Sequence, residues 1–267
     1  MQMIDWQRAV IKVGSALIAP EGNGCSIRYL LALAEFIQHS VQHGKEVVLV
    51  SSGSVAAGAG LMKFDLAQQV SIPQKQALAA VGQSYLMQHW QKLFDNQCAQ
   101  ILLTRSDLES SKRVANAKNT LNTLLQMQAI PIINENDSVV IDELVVGDND
   151  NLAAQVAVMC DADLLIICSD VDGLYNKNPQ LHADAQLIEV VETIDDSILQ
   201  SAGITTNPIA TGGMKTKIQA ADTAMQAGIN TLIVNGRKAA TFEQLKQTRQ
   251  TGTLFFAASS RMNSMLN

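Results

Sequence analysis

The amino-acid sequence predicts an α/β protein built on a parallel sheet that helices cover on both faces. Short runs rich in Val, Ile and Leu alternate along the chain with longer segments whose apolar residues recur at helical spacing. Strands that alternate with helices are typical of a parallel sheet, and fully apolar strands are typical of burial on both faces. With 267 residues and 47% hydrophobic content, the chain is long enough to bury a substantial core.

Composition argues against several classes of partner. The formal net charge of -6 disfavours a general nucleic-acid binder, which needs a basic surface to neutralise phosphates. No apolar run reaches the length of a bilayer span, and the N-terminus lacks the basic-then-apolar order of a signal peptide, so we expect a cytoplasmic protein without a membrane partner. Cys25, Cys98, Cys160 and Cys168 show no metal-ligand spacing, which predicts buried thiols and no metal site.

The first strand is predicted at residues 8–13, and it contains Lys12 shortly before Gly14. Lysine is rarely buried in full, so two interpretations are open. Lys12 could belong to an edge strand, or it could reach a phosphate beside the glycine. A helix is predicted over residues 27–41, with Ser26 as its N-cap and Gly44 as its end.

The middle of the chain continues the alternation. Strands are predicted at residues 46–50, 99–103 and 129–133, and helices at residues 73–94 and 114–128. The strand at 46–50 runs into two serines, a glycine and a third serine, followed by the small-residue stretch AAGAG. Such a junction lets backbone N–H groups and hydroxyls approach a small anionic ligand closely, although glycine runs alone also indicate simple flexibility.

Two clusters of carboxylates and carboxamides flank a small hairpin predicted at residues 139–146. Residues 134–137 follow the strand at 129–133, and residues 148–151 precede an apolar helical pattern. An open α/β sheet binds its ligands outside the carboxyl ends of the strands, which favours a substrate site here. Turn and cap chemistry is the alternative, because Asn and Asp are favoured at such junctions for local hydrogen bonding alone.

The C-terminal part predicts a second anion site. A helix at residues 152–160 and a strand at 164–168, ending at Ser169 and Asp170, lead to the segment TGGMKTK at residues 211–217. A glycine pair before a helix N-terminus exposes N–H groups where the helix dipole favours negative charge, and Lys217 lies in the first turn. The residue order is not that of a P-loop. Strands at 231–234 and 253–256 complete the chain.

Six segments, taken in order, carry a family resemblance. They are IKVGS near the start, VLVSSGSVAAG, INEND, VGDNDNLAA, SDVDGLY and TGGMKTKIQAA. Over nearly its whole length the chain resembles the glutamate 5-kinases of the amino acid kinase family. The resemblance implies a three-layer αβα sandwich with a mostly parallel eight-stranded sheet. It also implies that residues 1–158, approximately, bind the amino acid and that residues 159–267 bind ATP.

The same resemblance implies roles for individual residues. Lys12 and Lys217 would neutralise charge on the transferring phosphoryl group, and Asp150 would hold them in place. The glutamate-binding positions would be Ser52, Gly53, Asn134, Asp137, Asp148 and Asn149. The nucleotide-binding positions would be Lys12, Gly14, Ser169, Asp170, Tyr175, Thr211, Gly212, Gly213, Met214, Lys215, Thr216 and Lys217.

The activity that the resemblance implies is ATP-dependent phosphorylation of the γ-carboxylate of L-glutamate to L-glutamyl 5-phosphate, the first step of proline biosynthesis. A γ-carboxylate is already an anion at neutral pH, so direct in-line transfer needs no general base and depends on alignment and on screening of charge. Mg²⁺ carried mainly on the ATP phosphates would add to that screening. Feedback inhibition by proline and a homo-oligomer, either a dimer or a tetramer, are further expectations.

The sequence departs from the family pattern at three places. The chain ends at Asn267 without the PUA domain of many members, so a single amino acid kinase domain is expected. Residues 178–180, Asn-Pro-Gln, replace a common Asp-Pro-Arg, and residue 210 is Ala where Gly is common.

Two alternatives to the family activity are open. The chain could be another relative, such as an acetylglutamate kinase or a uridylate kinase, or a catalytically silent amino-acid sensor. Lys12, Asp150 and Lys217 argue against the sensor, which needs none of them.

Overall fold

An eight-stranded sheet forms the centre of the molecule in the computed structural model, which describes residues 5–139, 149–201 and 213–257. Its strands are β1 (Arg8–Val13), β2 (Glu46–Ser51), β3 (Cys98–Leu103), β4 (Ile130–Glu135), β5 (Leu164–Ser169), β6 (Val190–Val191), β7 (Asn230–Asn235) and β8 (Thr253–Phe255). Their spatial order is β3-β4-β2-β1-β5-β7-β8-β6. All neighbours pair in parallel except β7 and β8, which are antiparallel. The mostly parallel sheet that the sequence predicts is therefore confirmed.

Helices cover both faces of this sheet. They are α1 (Ser15–Ile18), α2 (Leu31–Gln42), α3 (Ser54–Met62), α4 (Ile72–Gln91), α5 (Arg105–Glu109), α6 (Ser111–Gln126), α7 (Asn149–Met159), α8 (Asp196–Ser201), α9 (Met214–Gln226) and α10 (Ala239–Lys246). Alternate residues of each strand point to opposite faces of the sheet, so each strand contributes side chains to two separate cores. Val10 and Leu165 pack with α6, α7 and α9 in one core, and Ile11 and Ile166 pack with α2, α4 and α10 in the other. The three-layer αβα sandwich is confirmed.

The position of β1 decides between the two interpretations of Lys12. β1 pairs with β2 on one side and with β5 on the other, so it is a central strand. The edge-strand interpretation of Lys12 is therefore wrong, and the lysine must be accommodated in the interior of the sheet.

Helix α2 begins later than the sequence predicts. Its first residue is Leu31, and Ser26 does not cap it; instead, the Ser26 hydroxyl accepts a hydrogen bond of 3.2 Å from the backbone N–H of Arg28. Ile27 and Leu31, which the predicted apolar face includes, are about half exposed. Ser26 thus forms a local turn, which competes with its use as a helix cap. The segment before this turn packs against α3, where the backbone N–H of Gly24 donates to Ala56 O at 2.8 Å.

Helices α3 and α4 approach each other unusually closely through glycines. A Cβ atom built on Gly82 would lie 1.8 Å from the carbonyl oxygen of Ser54, and one built on Gly58 would lie 1.9 Å from that of Leu78. Only glycine permits this backbone contact. It brings the start of α3, which follows β2, against the middle of α4, so that the backbone of Ser54 lies next to Gly82.

The four cysteines differ in burial. Cys160 and Cys168 are buried as predicted, but Cys25 and Cys98 are only partly buried; all four are free thiols, and burial raises their pKa values to about 11 or 12. The predicted hairpin at residues 139–146 lies, beyond residue 139, outside the described residues. Across the three described stretches, no helix combines the length and the apolar character needed to cross a bilayer.

Candidate active site

Two lysines share one buried carboxylate at the centre of the molecule. Lys12 Nζ lies 2.6 Å from Asp150 Oδ1, and Lys217 Nζ lies 2.9 Å from Asp150 Oδ2. Asp150 is completely buried, and the lysine side chains are 7% and 8% exposed. The hydroxyl of Thr216 also donates to Asp150 Oδ2, at 3.0 Å. The sequence prediction that Asp150 holds both lysines therefore agrees with the geometry.

The charge on Asp150 is maintained by its two partners. Burial alone would raise its pKa, because a carboxylate loses solvation in the interior. The ammonium groups of Lys12 and Lys217 outweigh that effect and lower the pKa of Asp150 from 3.8 to about 2. The carboxylate is therefore ionised at neutral pH, and together with the two lysines it forms a buried cluster with one positive charge in excess.

Three elements that are distant in sequence bring this cluster together. Lys12 is near the carboxyl end of β1, Asp150 is in the first turn of α7, and Lys217 is in the first turn of α9. Both helix N-termini therefore meet the carboxyl edge of a central strand, where parallel sheets bind ligands. Asp150, from the polar cluster at residues 148–151, and Lys217, from the TGGMKTK segment, thus belong to one site.

A chain of amide hydrogen bonds lies beside the cluster, on the side of β2 and β4. Asn149 Nδ2 donates to Ser52 Oγ at 2.8 Å and to Asn134 Oδ1 at 3.0 Å. Asn134, near the carboxyl end of the fully buried strand β4, is only 2% exposed. The structure therefore brings together three of the residues predicted to bind glutamate.

Asp137 lies in the same region but is held by a different partner. The hydroxyl of Ser54, at the start of α3, donates to Asp137 Oδ2 at 3.0 Å. Burial raises the pKa of Asp137, and the Ser54 hydrogen bond offsets part of that rise. Gly53 precedes Ser54 with φ +103°, a left-handed conformation that favours glycine, and a Cβ there would lie 2.8 Å from Ile18 Cγ2. Gly53 thus lets β2 turn sharply into α3.

Three of the residues predicted to bind the nucleotide, Ser169, Asp170 and Tyr175, lie at or shortly after the carboxyl end of β5. Ser169 ends β5, and its hydroxyl donates to Asp170 Oδ1 at 3.4 Å. The Tyr175 hydroxyl donates to Asp172 Oδ2 at 3.3 Å. Gly14 follows β1, and a Cβ built there would lie 3.6 Å from Lys12 Nζ, so the backbone at Gly14 lies next to the lysine cluster.

The start of α9 is described only from Gly213 onward. Gly213 is the extended N-cap, with φ -83° and ψ -175°, and Met214 is the first helical residue. Lys215 is exposed on the outer side of this first turn, in contrast to the buried Lys217. Thr211, Gly212 and Asp148, which are also predicted site residues, lie outside the described residues.

Several side chains near the site were missed by sequence reasoning. Asp172 accepts from Asn235 Nδ2 at 2.9 Å and pairs with Lys238 at 2.6 Å, so one carboxylate links the loops after β5 and β7. Gln83 accepts from Asn134 Nδ2 at 3.0 Å. Asp172 lies within the SDVDGLY segment and could have been selected as a second carboxylate at a strand end, whereas Gln83 carries no local signal.

Comparison with known proteins identifies the family of the chain. The family model described as amino acid kinase family matches residues 7–235. The glutamate 5-kinase of Idiomarina loihiensis is 52% identical over 255 residues, covering 96% of this chain and 68% of that protein. The glutamate 5-kinase of Salinibacter ruber is 52% identical over 259 residues, covering 94% of this chain and 67% of that protein. The chain thus spans about two thirds of the length of these relatives.

Solved structures with low sequence identity share the fold. Carbamate kinase from Giardia lamblia superposes with a TM-score of 0.64 at 16% identity, covering 94% of this chain and 98% of that one. UMP kinase from Bacillus anthracis superposes with a TM-score of 0.61 at 14% identity, covering 95% and 97%. These identities support the fold alone, whereas the family model and the curated relatives support the family. The chain belongs to the amino acid kinase family and, within it, to the glutamate 5-kinases.

Proposed function

We propose that this chain transfers the γ-phosphoryl group of ATP to the γ-carboxylate of L-glutamate and so makes L-glutamyl 5-phosphate, the product that opens proline biosynthesis. The observation that carries the proposal is the buried cluster in which Lys12 and Lys217 share Asp150. This cluster lies between the amide-lined region next to β2 and β4 and the loops that follow β5 and β7. A phosphoryl group that passes between these two regions would therefore pass the lysines.

The lysine cluster fits phosphoryl transfer because it stabilises anionic charge without acting as an acid or a base. The transferring group spreads negative charge over its equatorial oxygens, and positioned cations that are shielded from water stabilise such charge strongly. Asp150 keeps the two ammonium groups apart and fixed before substrate arrives. The attacking γ-carboxylate is already an anion, so the proposed reaction needs no general base to activate it.

On the amino-acid side, the proposal uses Ser52, Asn134, Asp137 and Asn149, with Gly53 shaping the turn. Asp137, and Asp148 by the same resemblance, would face the free α-ammonium of glutamate. An N-acetylated substrate presents a neutral amide at that position, so its binding would lose a charge-assisted contact. We therefore propose glutamate rather than N-acetylglutamate as the substrate.

On the nucleotide side, the start of α9 supports phosphate binding. The first N–H groups of a helix of this length lack intrahelical partners and carry the positive end of the helix dipole. Gly213 to Lys217 would bind the phosphates there, while Ser169, Asp170 and Tyr175 would contact the rest of the nucleotide. Mg²⁺ carried on the ATP phosphates would supply further screening of charge. Residues up to about 158 would thus form the amino-acid lobe, and later residues the ATP lobe.

Trapping of the acyl phosphate tests the proposal directly. The purified chain is incubated with ATP, Mg²⁺ and hydroxylamine, and the hydroxamate is measured with glutamate, N-acetylglutamate or aspartate as the acceptor and in a blank without acceptor. We expect hydroxamate with glutamate and little with the other acceptors. Equal use of N-acetylglutamate would contradict the proposed preference for glutamate. The absence of any glutamate-dependent hydroxamate would refute the proposed activity.

A further inference from the structure

Four amide side chains form a continuous chain of hydrogen bonds that ends at the proposed glutamate site. Gln83 Nε2 donates to Gln100 Oε1 at 3.3 Å, and Asn134 Nδ2 donates to Gln83 Oε1 at 3.0 Å. Asn149 Nδ2 then donates to Asn134 Oδ1 at 3.0 Å and to Ser52 Oγ at 2.8 Å. The chain thus runs from exposed Gln100 on β3, through α4 and β4, to the first residue of α7.

A backbone group fixes the direction of every bond in this chain. The backbone N–H of Glu135 donates to Asn134 Oδ1 at 2.9 Å. A backbone N–H can only donate, so this atom of Asn134 must be the carbonyl oxygen, and the other atom must be the NH₂ group. Gln83 must therefore present its own oxygen to Asn134. The orientation of each amide follows from its neighbour.

The direction of the bonds determines what the site offers to a ligand. Both hydrogens of the Asn149 amide are used, one by Asn134 and one by Ser52, so its carbonyl oxygen is the atom left to accept from a cation. The Ser52 hydroxyl accepts from Asn149 and therefore keeps its own hydrogen to donate to an anion. An acceptor beside a donor matches the α-ammonium and α-carboxylate of an amino acid.

We propose that Gln83 is a positioning residue for amino-acid binding, which acts through Asn134 on Asn149 and Ser52; this inference rests on the proposed function. Gln83 lies on α4, outside the motifs that mark the site, and it is only 8% exposed. Without its oxygen, the buried NH₂ group of Asn134 loses its acceptor, and rotation of that amide to find another partner would disturb Asn149. Gln83 follows Gly82, at which α4 packs closely against the start of α3, and its side chain contacts Asn134 of β4.

The same helix offers a matched control. Gln91, two turns further along α4, also uses all parts of its amide: Nε2 donates to Phe94 O and Asn96 O, and Oε1 accepts from Cys98 N at 2.9 Å. These contacts hold the loop between α4 and β3 and make no contact with the proposed site. Gln91 is thus a glutamine of purely structural role on the same element.

The experiment compares Gln83→Met, Gln83→Glu and Gln91→Met with the wild-type chain. KM for glutamate, KM for ATP, kcat and Tm are measured for each. For Gln83→Met we expect the glutamate KM to rise on the order of 10-fold, because an orphaned buried donor costs about one hydrogen bond, while the ATP KM stays within about 2-fold. Gln83→Glu keeps an oxygen for Asn134, and exposed Gln100 can turn its amide to donate, so this variant should restore most of the glutamate affinity. Gln91→Met should lower Tm without changing the glutamate KM.

Each outcome is decisive. If Gln83→Met lowers Tm but leaves the glutamate KM unchanged, or raises both KM values equally, Gln83 has only a structural role and the inference is overturned. The same holds if Gln83→Glu is as impaired as Gln83→Met at equal Tm. A wild-type chain that forms no acyl phosphate from glutamate overturns the proposed function instead, and the two failures are distinguished by the wild-type assay.

Discussion

Lys12 Nζ lies 2.6 Å from Asp150 Oδ1, although Lys12 belongs to a central strand and Asp150 to a helix far along the chain. The ion pair explains how a lysine can occupy the interior of the sheet, because a buried charge without a partner is strongly unfavourable. Asp150 is shared with Lys217, so one carboxylate neutralises part of the charge of two lysines. Removing that carboxylate would leave two cations in a site shielded from water.

The first prediction concerns the stability of Asp150→Asn. Breaking a buried ion pair by removing one partner typically costs about 3–5 kcal/mol, and here two lysines lose the same partner. We expect the free energy of unfolding at pH 7 to fall by an amount of this order in urea denaturation. Asp161→Asn is the control, because Asp161 pairs with Lys118 at 2.5 Å on the surface. A loss for Asp150→Asn no larger than that of the control would contradict the prediction.

The second prediction is the pH dependence of that difference in stability. The pKa of Asp150 is lowered to about 2 in the folded chain, below the value of 3.8 expected when it is unfolded. Its contribution is therefore fully present above about pH 4 and is lost as the pH falls from about 4 to about 2. Between these limits the stability difference between wild type and Asp150→Asn should shrink by about 2 kcal/mol. A difference that stays constant throughout this window would show that the lysines do not control Asp150.

The third prediction concerns substrate binding by Asp137. Asp137→Asn should raise the glutamate KM while kcat changes little, because the charge-assisted contact to the α-ammonium is worth roughly 1.5–3 kcal/mol. Burial raises the pKa of Asp137, so wild-type glutamate affinity should begin to weaken on acidification at a higher pH than an ordinary aspartate would cause. Glutamate affinity measured by calorimetry between pH 7 and 4.5 should be flatter for the variant. Identical profiles for the two proteins would remove Asp137 from the site.

The fourth prediction is competitive inhibition by proline. Proline has an α-ammonium and an α-carboxylate but no γ-carboxylate, so it could use the contacts of Ser52, Asp137 and Asn149 and leave the attacking position empty. Linkage then requires glutamate and proline to weaken each other's apparent binding. Glu143 and Asp148, which the resemblance also implicates, lie outside the described residues. Proline is titrated at several fixed glutamate concentrations; an inhibition constant that is independent of glutamate would exclude a shared site.

The fifth prediction tests the close approach of α3 and α4. The added methyl group of Gly82→Ala would lie 1.8 Å from Ser54 O, so the two helices must separate. Overpacking of this kind typically costs about 1–3 kcal/mol. Because Ser54 donates to Asp137, we also expect a higher glutamate KM. Ser84→Ala, on the exposed face of the same helix, is the control and should change neither Tm nor KM. A Gly82→Ala variant as stable as Ser84→Ala would contradict the contact.

The strands were the part of the fold that the sequence predicted best. Buried parallel strands are continuous runs of β-branched residues, and the predicted limits of β1 and β5 agree with the structure to within a residue. Helix α3 was not predicted, because SVAAGAGLM lacks helical periodicity and contains two glycines. Its stability depends on packing against α4, which no local pattern reveals. The start of α2 was misplaced because a serine before an apolar run also favours a local turn.

The candidate site was predictable where its residues lie in recognisable motifs at the ends of strands or the starts of helices. Lys12, Asp150 and Lys217 were selected in this way, and the structure places them in contact. Gln83 was missed because its importance depends entirely on its contact with Asn134 across the fold. The alternative interpretation of Lys12 as an edge residue could be excluded only by the strand order, which a single sequence does not determine.

The most direct test of the lysine cluster separates phosphoryl transfer from substrate binding. Lys12→Ala, Lys217→Ala and the control Lys118→Ala are compared in hydroxamate turnover and in calorimetric binding of glutamate. Removing one group that stabilises the transferring charge should lower kcat on the order of 100-fold or more. We predict this loss for Lys12→Ala and for Lys217→Ala, with glutamate affinity within a few-fold of wild type and Lys118→Ala unchanged. Near-normal turnover in Lys217→Ala, or a loss explained entirely by weaker glutamate binding, would contradict the proposed role of the cluster.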